Sequence, residues 1–551
     1  MLRNALGLHQ AGRLSEAARI YRQILAVDSH HADSLHLLGM IEYQAGHPEA
    51  AIAMIRQAIA VNKTDATYHS NLGTVFHAQG RLDEASLCYE RAAALRPDLA
   101  TAHYNLGNVL RTQERLAEAA ACYERALALQ PDLAEAHYNL GNIRQAQYKL
   151  DDAVECYRRA LAIEPTKFEA LHNLGNALQA QDRLAEARIC FERVLALQPG
   201  YAKAHYSLAS ILHSLGNLDG ARNGYRSALA LDPDFADAAF ADALARLLQG
   251  TFAAGWRNYE WRWRTKEHTP PMRAYSQPLW KGEKLSSGRL LIWGEQGIGD
   301  EIMFAGIIPE VVASGNCCML DCDARLKPLF ARSFPDIEVI SSRTSGNDPA
   351  HNPELKIEAH LPIGSLPGLF RATETAFAAT RSPYLVADSA EREQFGTRYA
   401  DGKRLAGLAW YTNNKKTGRV RSVDLSVFAP LFAISDIRWI SLQYGDHDLL
   451  EKEAAAAGAP LLIDRSVDQI VNIDGFAAQV AAMDLVVTID NSTAHLAGGL
   501  GVPTFVLLPF ASDWRWLQDR EDSPWYPTLR LFRQPRRGDW QSVIERVQNA
   551  L

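Results

Sequence analysis

Three stretches of this sequence combine acids, cations, hydroxyls and glycines in patterns that could hold an anionic ligand. LLIWGEQGIGDE (Leu290–Glu301) runs an apolar segment into a glycine-rich turn and then a helix beginning near Asp300. Gly294, Gly297 and Gly299 would let a ligand approach the backbone, while Asp300 could equally serve as a helix N-cap. GLAWYTNNKKTGRVRSVDLSVF (Gly407–Phe428) places Thr412, Lys415, Lys416, Arg419 and Arg421 in a polar loop after an apolar run. Four cations at a strand end suit phosphate neutralisation; a plain solvated loop is the alternative. LVVTIDNSTAHLAGGLGVPTFVLLPF (Leu485–Phe510) ends a buried run in Asp490 and opens a helix with Asn491, Ser492 and Thr493. Free N–H groups and hydroxyls at a helix start form a ready diphosphate site, with His495 on the first turn.

The elements that must position these motifs read as parallel α/β units. Short apolar, β-branched runs alternate with helical segments. Strands are expected at Arg289–Trp293, Cys317–Asp321, Ile337–Ser341, Arg404–Trp410, Trp439–Gln443, Leu461–Asp464, Leu485–Asp490 and Thr504–Leu508. Ala387–Lys403 reads as the junction of two doubly wound halves, which bind ligands at the C-terminal strand ends.

The first half of the chain is built differently. Ala17, Ala51, Ala85, Ala119, Ala153, Ala187 and Ala221 recur every 34 residues. An aromatic or large apolar series (Tyr21, Ile55, Tyr89, Tyr123, Tyr157, Phe191, Tyr225, Tyr259), a glycine series (Gly39 to Gly175) and a proline series (Pro97 to Pro233) share the period. Small residues let two helices approach, the aromatic fills the space between units, and proline stops the second helix. The pattern resembles the tetratricopeptide repeat over about Leu6–Arg264, which implies a stacked α-solenoid with an extended concave surface. Asn71, Asn105, Asn139 and Asn173 fall on the first helix of successive units, and Asn108, Asn142 and Asn176 lie three residues further on the same face. In tetratricopeptide arrays that helix lines the groove. A ladder of amides offers donors and acceptors to an extended peptide whatever its side chains; the alternative is hydrogen bonding within the array. The ladder resembles that of the O-GlcNAc transferases that act on proteins.

Bulk properties narrow the class. The chain has 551 residues, 47% of them hydrophobic, and a net charge of −7, which offers no global reason to bind nucleic acid. Its N-terminus shows no apolar core or small-residue cleavage site, and no apolar run reaches the ~18–20 residues of a membrane span. A cytoplasmic protein is the simplest expectation. Cys88, Cys122, Cys156 and Cys190 keep the 34-residue spacing and read as small packed residues; Cys317, Cys318 and Cys322 complete the set. The acids of Asp321–Cys322–Asp323 read as a cap rather than a metal site, so no metal is expected.

Together GWRNYEWRWR, GEQGIGDE, RSVDL, SLQ and IDNSTAHLAGGLG resemble the heptosyltransferase-like, family nine glycosyltransferases, in the form that bacteria fuse to tetratricopeptide repeats. The expected fold class is therefore an α-solenoid followed by an α/β GT-B-like pair of doubly wound Rossmann-like halves. Residues 1–267 would form the repeats, 268–288 a linker, 289–388 the acceptor half and 389–551 the nucleotide-sugar half. The resemblance implies Asp300 as catalytic base, with Glu295 as runner-up. It implies donor contacts from Gly297, Gly299, Thr412, Lys415 or Lys416, Arg421, Asp490, Asn491, Ser492, Thr493 and His495. Gln443 stands where heptosyltransferases hold the donor ribose with an acid.

The activity implied is metal-free inverting sugar transfer from a nucleotide-sugar. The acceptor half is short, which favours a polypeptide presented by the repeats over a core saccharide. Two other readings compete: an interaction scaffold with a vestigial transferase fold, and a saccharide-directed enzyme whose repeats serve assembly. Self-association through the repeats leaves a homodimer open. Asp513–Gln534, dense in Trp and Arg, reads as a segment packed across the two halves, or else as a cover over the sugar.

Overall fold

The computed structural model describes residues 1–265, 272–342, 349–380, 382–414 and 418–551. The expected contacts from Lys415 and Lys416 lie outside these residues, as does the start of the expected linker. The chain packs as two compact units, Met1–Ser207 and Leu208–Leu551.

The first unit is a run of antiparallel helix pairs, for example Ala100–Thr112 with Leu116–Leu129 and Ala134–Ala146 with Leu150–Ile163. The sequence periodicities have direct physical counterparts. Ala17, Ala51, Ala85, Ala119, Ala153 and Ala187 are fully buried. Gly73, Gly107, Gly141 and Gly175 each face the aromatic of the same pair, and Gly39 faces Ile55: a Cβ on Gly141 would lie 2.7 Å from Tyr157 Cε1, and one on Gly107 2.7 Å from Tyr123 Cε1. Pro97, Pro131, Pro165 and Pro199 follow helices ending at Leu95, Leu129, Ile163 and Leu197. All seven cysteines are free thiols; Cys190 is buried and Cys88, Cys122 and Cys156 are half-buried.

A further period appears in the backbone. The turn inside each pair needs one residue at positive φ, supplied by Gly12, Gly46 and Gly80, and later by Gly216 and Gly250. Between them Glu114, Tyr148 and Asp182 occupy the same position at φ 61°, 58° and 66°. Non-glycine residues there lose roughly 1–2 kcal/mol to the Cβ–carbonyl clash.

The second unit begins with the last repeat helices, Leu218–Leu231, Ala236–Leu248 and Phe252–Tyr259, closed by a 3-10 turn at Glu260–Arg264. Two parallel sheets follow. The first contains β1 (Arg289–Trp293), β2 (Cys317–Asp321), β3 (Glu338–Ile340) and β4 (Ile357–Pro362) in the order β3-β2-β1-β4. The second contains β5 (Arg404–Ala409), β6 (Ile437–Ser441), β7 (Leu461–Leu462), β8 (Leu485–Ile489), β9 (Thr504–Leu508) and β10 (Leu529–Arg533). Its order is β10-β9-β8-β5-β6-β7.

The sequence patterns anticipated eight of these strands and missed two. β6 starts at Ile437 rather than Trp439, and β7 is shorter than expected. β4 and β10 were not anticipated. Both are edge strands; IEAHLP carries a charged residue, Glu358, at its second position, and Arg530 of LRLFR faces solvent between buried Leu529 and Leu531. Leu247, Phe252, Trp256 and Tyr259 belong to the same hydrophobic core as Leu290, Ile292, Phe304 and Trp525. The final repeat helices therefore pack as part of the α/β unit, and the unit boundary falls earlier than residue 267.

Two substitutions separate these constraints. Gly141→Ala should lower the melting temperature, by ~1–3 kcal/mol of overpacking against buried Tyr157, although alanine is otherwise the better helix former. Tyr148→Gly should raise it, with a stability gain of up to ~1 kcal/mol, because the residue is 88% exposed and only its backbone strain is lost. Calorimetric melts of the three proteins read both signs.

Candidate functional site

The loop after β1 is built around two committed acids. Gly294 has no room for a Cβ, which would lie 2.4 Å from the Glu301 carboxyl carbon. Glu295 is fully buried and bidentate with Arg262, at 2.8 and 2.9 Å, and accepts from the Gly364 N–H at 2.9 Å. Arg262 also donates to Ser365 Oγ at 2.8 Å. This ion pair fills the point where strand order reverses between β1 and β4. Glu295 is thereby tied into the structure, whereas Asp300 is partly open, with a side chain 20% exposed.

The helix Ile298–Ala305 packs against the helix Ser492–Gly499. Gly299 makes that approach: a Cβ there would lie 3.0 Å from His495 Cδ2. Asp300 thus reaches the loops at the C-terminal ends of the second sheet and pairs with Arg515. From there an alternating chain of charges runs on. Arg515 binds Asp513 at 2.5 Å, Asp513 lies 3.3 Å from Arg421, and Arg421 lies 3.2 Å from Asp490. Asp490 directly follows β8 and Arg421 follows β5, so the cluster occupies the position where strand order reverses between β5 and β8. Ligands of open parallel sheets bind at such positions.

Burial raises the Asp490 carboxyl above its ordinary range despite Arg421. Burial also opposes ionisation of Asp513, but Arg515 and then Arg421 outweigh it and hold the carboxyl low. Burial works against the Arg515 charge as well, and Asp300 with Asp513 more than offset it.

Other expected donor contacts have internal tasks. Asn491 Oδ1 accepts from the N–H groups of Thr493 at 3.0 Å and Ala494 at 3.4 Å, so the helix start is already capped. Its Nδ2 is buried without a partner among the described residues. Ser492 is half-exposed and Thr493 buried. Gln443 is spent on backbone: its Oε1 accepts from Trp410 and Tyr411 N–H at 2.8 and 2.9 Å, and its Nε2 donates to the Tyr411 and Tyr444 carbonyls at 3.2 Å. Thr412 N–H donates to Ser422 Oγ at 3.1 Å. His495 lies 3.0 Å from the Tyr526 hydroxyl and stacks on Trp516. Burial, then Arg515, push its imidazole down to about 3, so it is neutral. Asp321 is taken by Arg273 at 2.6 Å and by Ser342, and Asp323 caps the turn before Arg325 at 3.0 Å.

Sequence reasoning missed Arg262, Asp513, Arg515, Tyr259 and Tyr526 as parts of the site. Their signal was present as two Trp/Arg-rich stretches, Gly255–Arg264 and Asp513–Gln534, without the pairing. Trp256, Trp514 and Trp525 in fact pack edge to face, and Gln296 Nε2 donates to the Tyr259 hydroxyl at 2.8 Å.

The asparagines of the first unit form a second candidate site. The two series bond to each other: Asn139 Nδ2 donates to Asn108 Oδ1 at 3.1 Å, and Asn173 Nδ2 to Asn142 Oδ1 at 2.8 Å. Tyr123 and Tyr157 hydroxyls donate to the same Asn108 and Asn142 oxygens at 2.8 Å. Asn71 donates to His36 Nε2 at 2.8 Å, and Asn176 lies 3.3 Å from His172 Nδ1. Asn105 is half-buried and makes no side-chain hydrogen bond among the described residues. Among the described residues Asn108 and Asn142 keep their Nδ2 groups and Asn139 its Oδ1 uncommitted, whereas Asn173 also has its Oδ1 engaged, 3.5 Å from His172 Nδ1.

Two measurements probe these arrangements. Arg262→Ala leaves Glu295 buried and unpaired and should lower the unfolding free energy by ~3–5 kcal/mol in urea melts. His495 protonates near 6.5 when unfolded but only near 3 when folded. Its contribution is therefore complete above pH 6.5 and is lost as pH falls toward 3. His495→Gln should flatten the pH dependence of stability across that window, by up to ~1.4 kcal/mol per pH unit.

Known proteins match chiefly through the repeats. Family models described as TPR repeat match residues 73–113, 107–148 and 146–182, and models described as tetratricopeptide repeat match 172–234 and 8–72. Protein FlbA of Caulobacter vibrioides is 32% identical over 330 residues, which cover 57% of this chain and 54% of that protein. The chain thus spans about half the length of that relative. The crystal structure of YrrB, described as a TPR protein with an unusual peptide-binding site, is 28% identical over 34% of this chain and 98% of its own, with a TM-score of 0.33. The C-terminal part of a TPR repeat-containing protein from Cytophaga hutchinsonii is 16% identical, covering 44% of this chain and 99% of its own, with a TM-score of 0.38. The N-terminal part of this chain is a tetratricopeptide-repeat array.

Proposed function

We propose that this chain is an inverting glycosyltransferase of the heptosyltransferase-like, GT-B kind that moves a sugar from a nucleotide-sugar to a polypeptide hydroxyl. The observation that carries this reading is the convergence of Asp300 with the Arg421–Asp490 pair at the β5/β8 reversal, where two parallel sheets bring an acid and a cation cluster together. In the reaction the acceptor O–H gives its proton to the Asp300 carboxylate. The acceptor oxygen forms a bond to the anomeric carbon from the face opposite the leaving group. The bond from that carbon to the phosphate oxygen breaks, and its electron pair leaves with the nucleoside diphosphate. In this reading Arg421 and the Ser492 helix start stabilise that developing charge. Lys415 and Lys416 belong to the same loop in sequence. No metal is required for these steps. The uncommitted amide ends along the first-unit asparagines suit a peptide backbone, which makes a polypeptide the favoured acceptor. A cytoplasmic location fits such an acceptor, and among the described residues no helix is long and apolar enough to cross a membrane.

One observation favours the scaffold reading instead. The Asn108–Asn139 and Asn142–Asn173 bonds give those amides a task within the array, independent of any ligand. Turnover decides between them. Incubation with UDP-, GDP-, ADP- and CMP-sugars should release one nucleotide, and Asp490→Ala should abolish that release. Asp300→Asn should abolish transfer and leave donor binding measurable. Alanine at Asn105, Asn139 and Asn173 should weaken a protein acceptor and spare a saccharide one. Absence of turnover and of thermal stabilisation by every nucleotide would favour the scaffold.

A further inference from the structure

Asp300 and Arg515 come from different sheets: Asp300 follows β1, and Arg515 lies in the turn Trp514–Trp516 after β9. Their ion pair is the outer end of the chain Asp300–Arg515–Asp513–Arg421–Asp490. Within that chain three carboxylates share two guanidiniums, so an entering anion competes with a carboxylate for them. Asp490 is 3% exposed and Asp513 is held by both arginines. Asp300 has a single guanidinium partner in the chain and the most open side chain, so it is the one that can leave for water. Arg515 also lies over the Trp514 ring at 4.5 Å, which supports the guanidinium while its partner changes. A diphosphate offers several charged oxygens in the geometry of the guanidinium fork and outcompetes one carboxylate.

We infer that Arg515 exchanges partners: it holds Asp300 and turns to the diphosphate when a nucleoside diphosphate group enters beside Arg421. The inference rests on the donor-site reading above and deepens it. A carboxylate locked on a guanidinium is a poor proton acceptor, so the exchange leaves Asp300 ready only when the leaving group is in place. Arg515 then serves twice, first on Asp300 and afterwards on the departing phosphate. The acid and the diphosphate compete for one cation, and that competition is measurable without any acceptor.

The test is calorimetric titration of the full chain with inorganic pyrophosphate and with UDP, GDP, ADP and CMP. Wild type, Asp300→Asn and Arg515→Gln are compared, with Asp300→Ser and Arg515→Lys carried in parallel so that a folding defect in one variant leaves the comparison intact. Removing the competitor in Asp300→Asn should tighten binding about five-fold or more, and Arg515→Gln should weaken it by at least as much. Arg515→Lys should retain part of the affinity. Wild-type binding that neither substitution alters, or that Asp300→Asn weakens, overturns the exchange and leaves the donor site standing. Absence of binding by every probe overturns the donor-site reading together with it.

Discussion

The second unit depends on one buried ion pair. Arg262 and Glu295 are both fully inaccessible, and each is surrounded by further polar partners rather than left to the Coulomb attraction alone. A buried pair of this kind contributes little net energy compared with a hydrophobic contact, but leaving either member unpaired is severe. Its effect is therefore geometric. It requires the end of the last repeat, the glycine-rich turn after β1 and the turn after β4 to assemble together. The same contact removes Glu295 from chemistry and directs the following helix, with Asp300, toward the second sheet. Trp256 strengthens the junction by donating to the Arg371 carbonyl at 2.9 Å.

The repeat array follows a simpler rule. One alanine, one glycine and one aromatic per unit specify how closely two helices approach, because the ring occupies the volume a glycine leaves empty. The turn residue at positive φ is the least uniform part of the rule. Glu114, Tyr148 and Asp182 accept strain there because helix packing on either side fixes the turn more strongly than local preference does. The amides of the first helices are ordered by the same packing: the tyrosines that fill the glycine spaces also donate to Asn108 and Asn142. An asparagine series on a helix face is thus both a structural thread and a row of remaining hydrogen-bonding ends.

At the candidate site, charge organises what the backbone brings together. Two arginines bridge three aspartates across loops far apart in sequence, and aromatic side chains from three segments seal the region behind them. His495 stays neutral there because burial and neighbouring cations both oppose its protonation. Its contribution is packing against Trp516 and bonding to Tyr526 rather than positive charge.

Much of this was legible in residue order alone. The 34-residue period determined the helix pairs, since each recurrent residue acts on a neighbour within the same or the next unit. Apolar runs such as LVVTI and RLLIW determined buried parallel strands, and the glycines and acids after them marked the loops of the site. β4 and β10 escaped because edge strands carry charged residues and lose the continuous apolar pattern. The partners of Glu295, Asp300 and Gln443 escaped for a different reason. They depend on residues brought near by folding: Arg262 and Arg515 on other segments, and the backbone of Trp410 and Tyr411 just after the neighbouring strand β5. Sequence determined which chemical groups are present and which local elements carry them. Tertiary packing alone decided which acids are neutralised, which amides are spent and which remain open, because those outcomes depend on distance and burial between segments far apart in the chain.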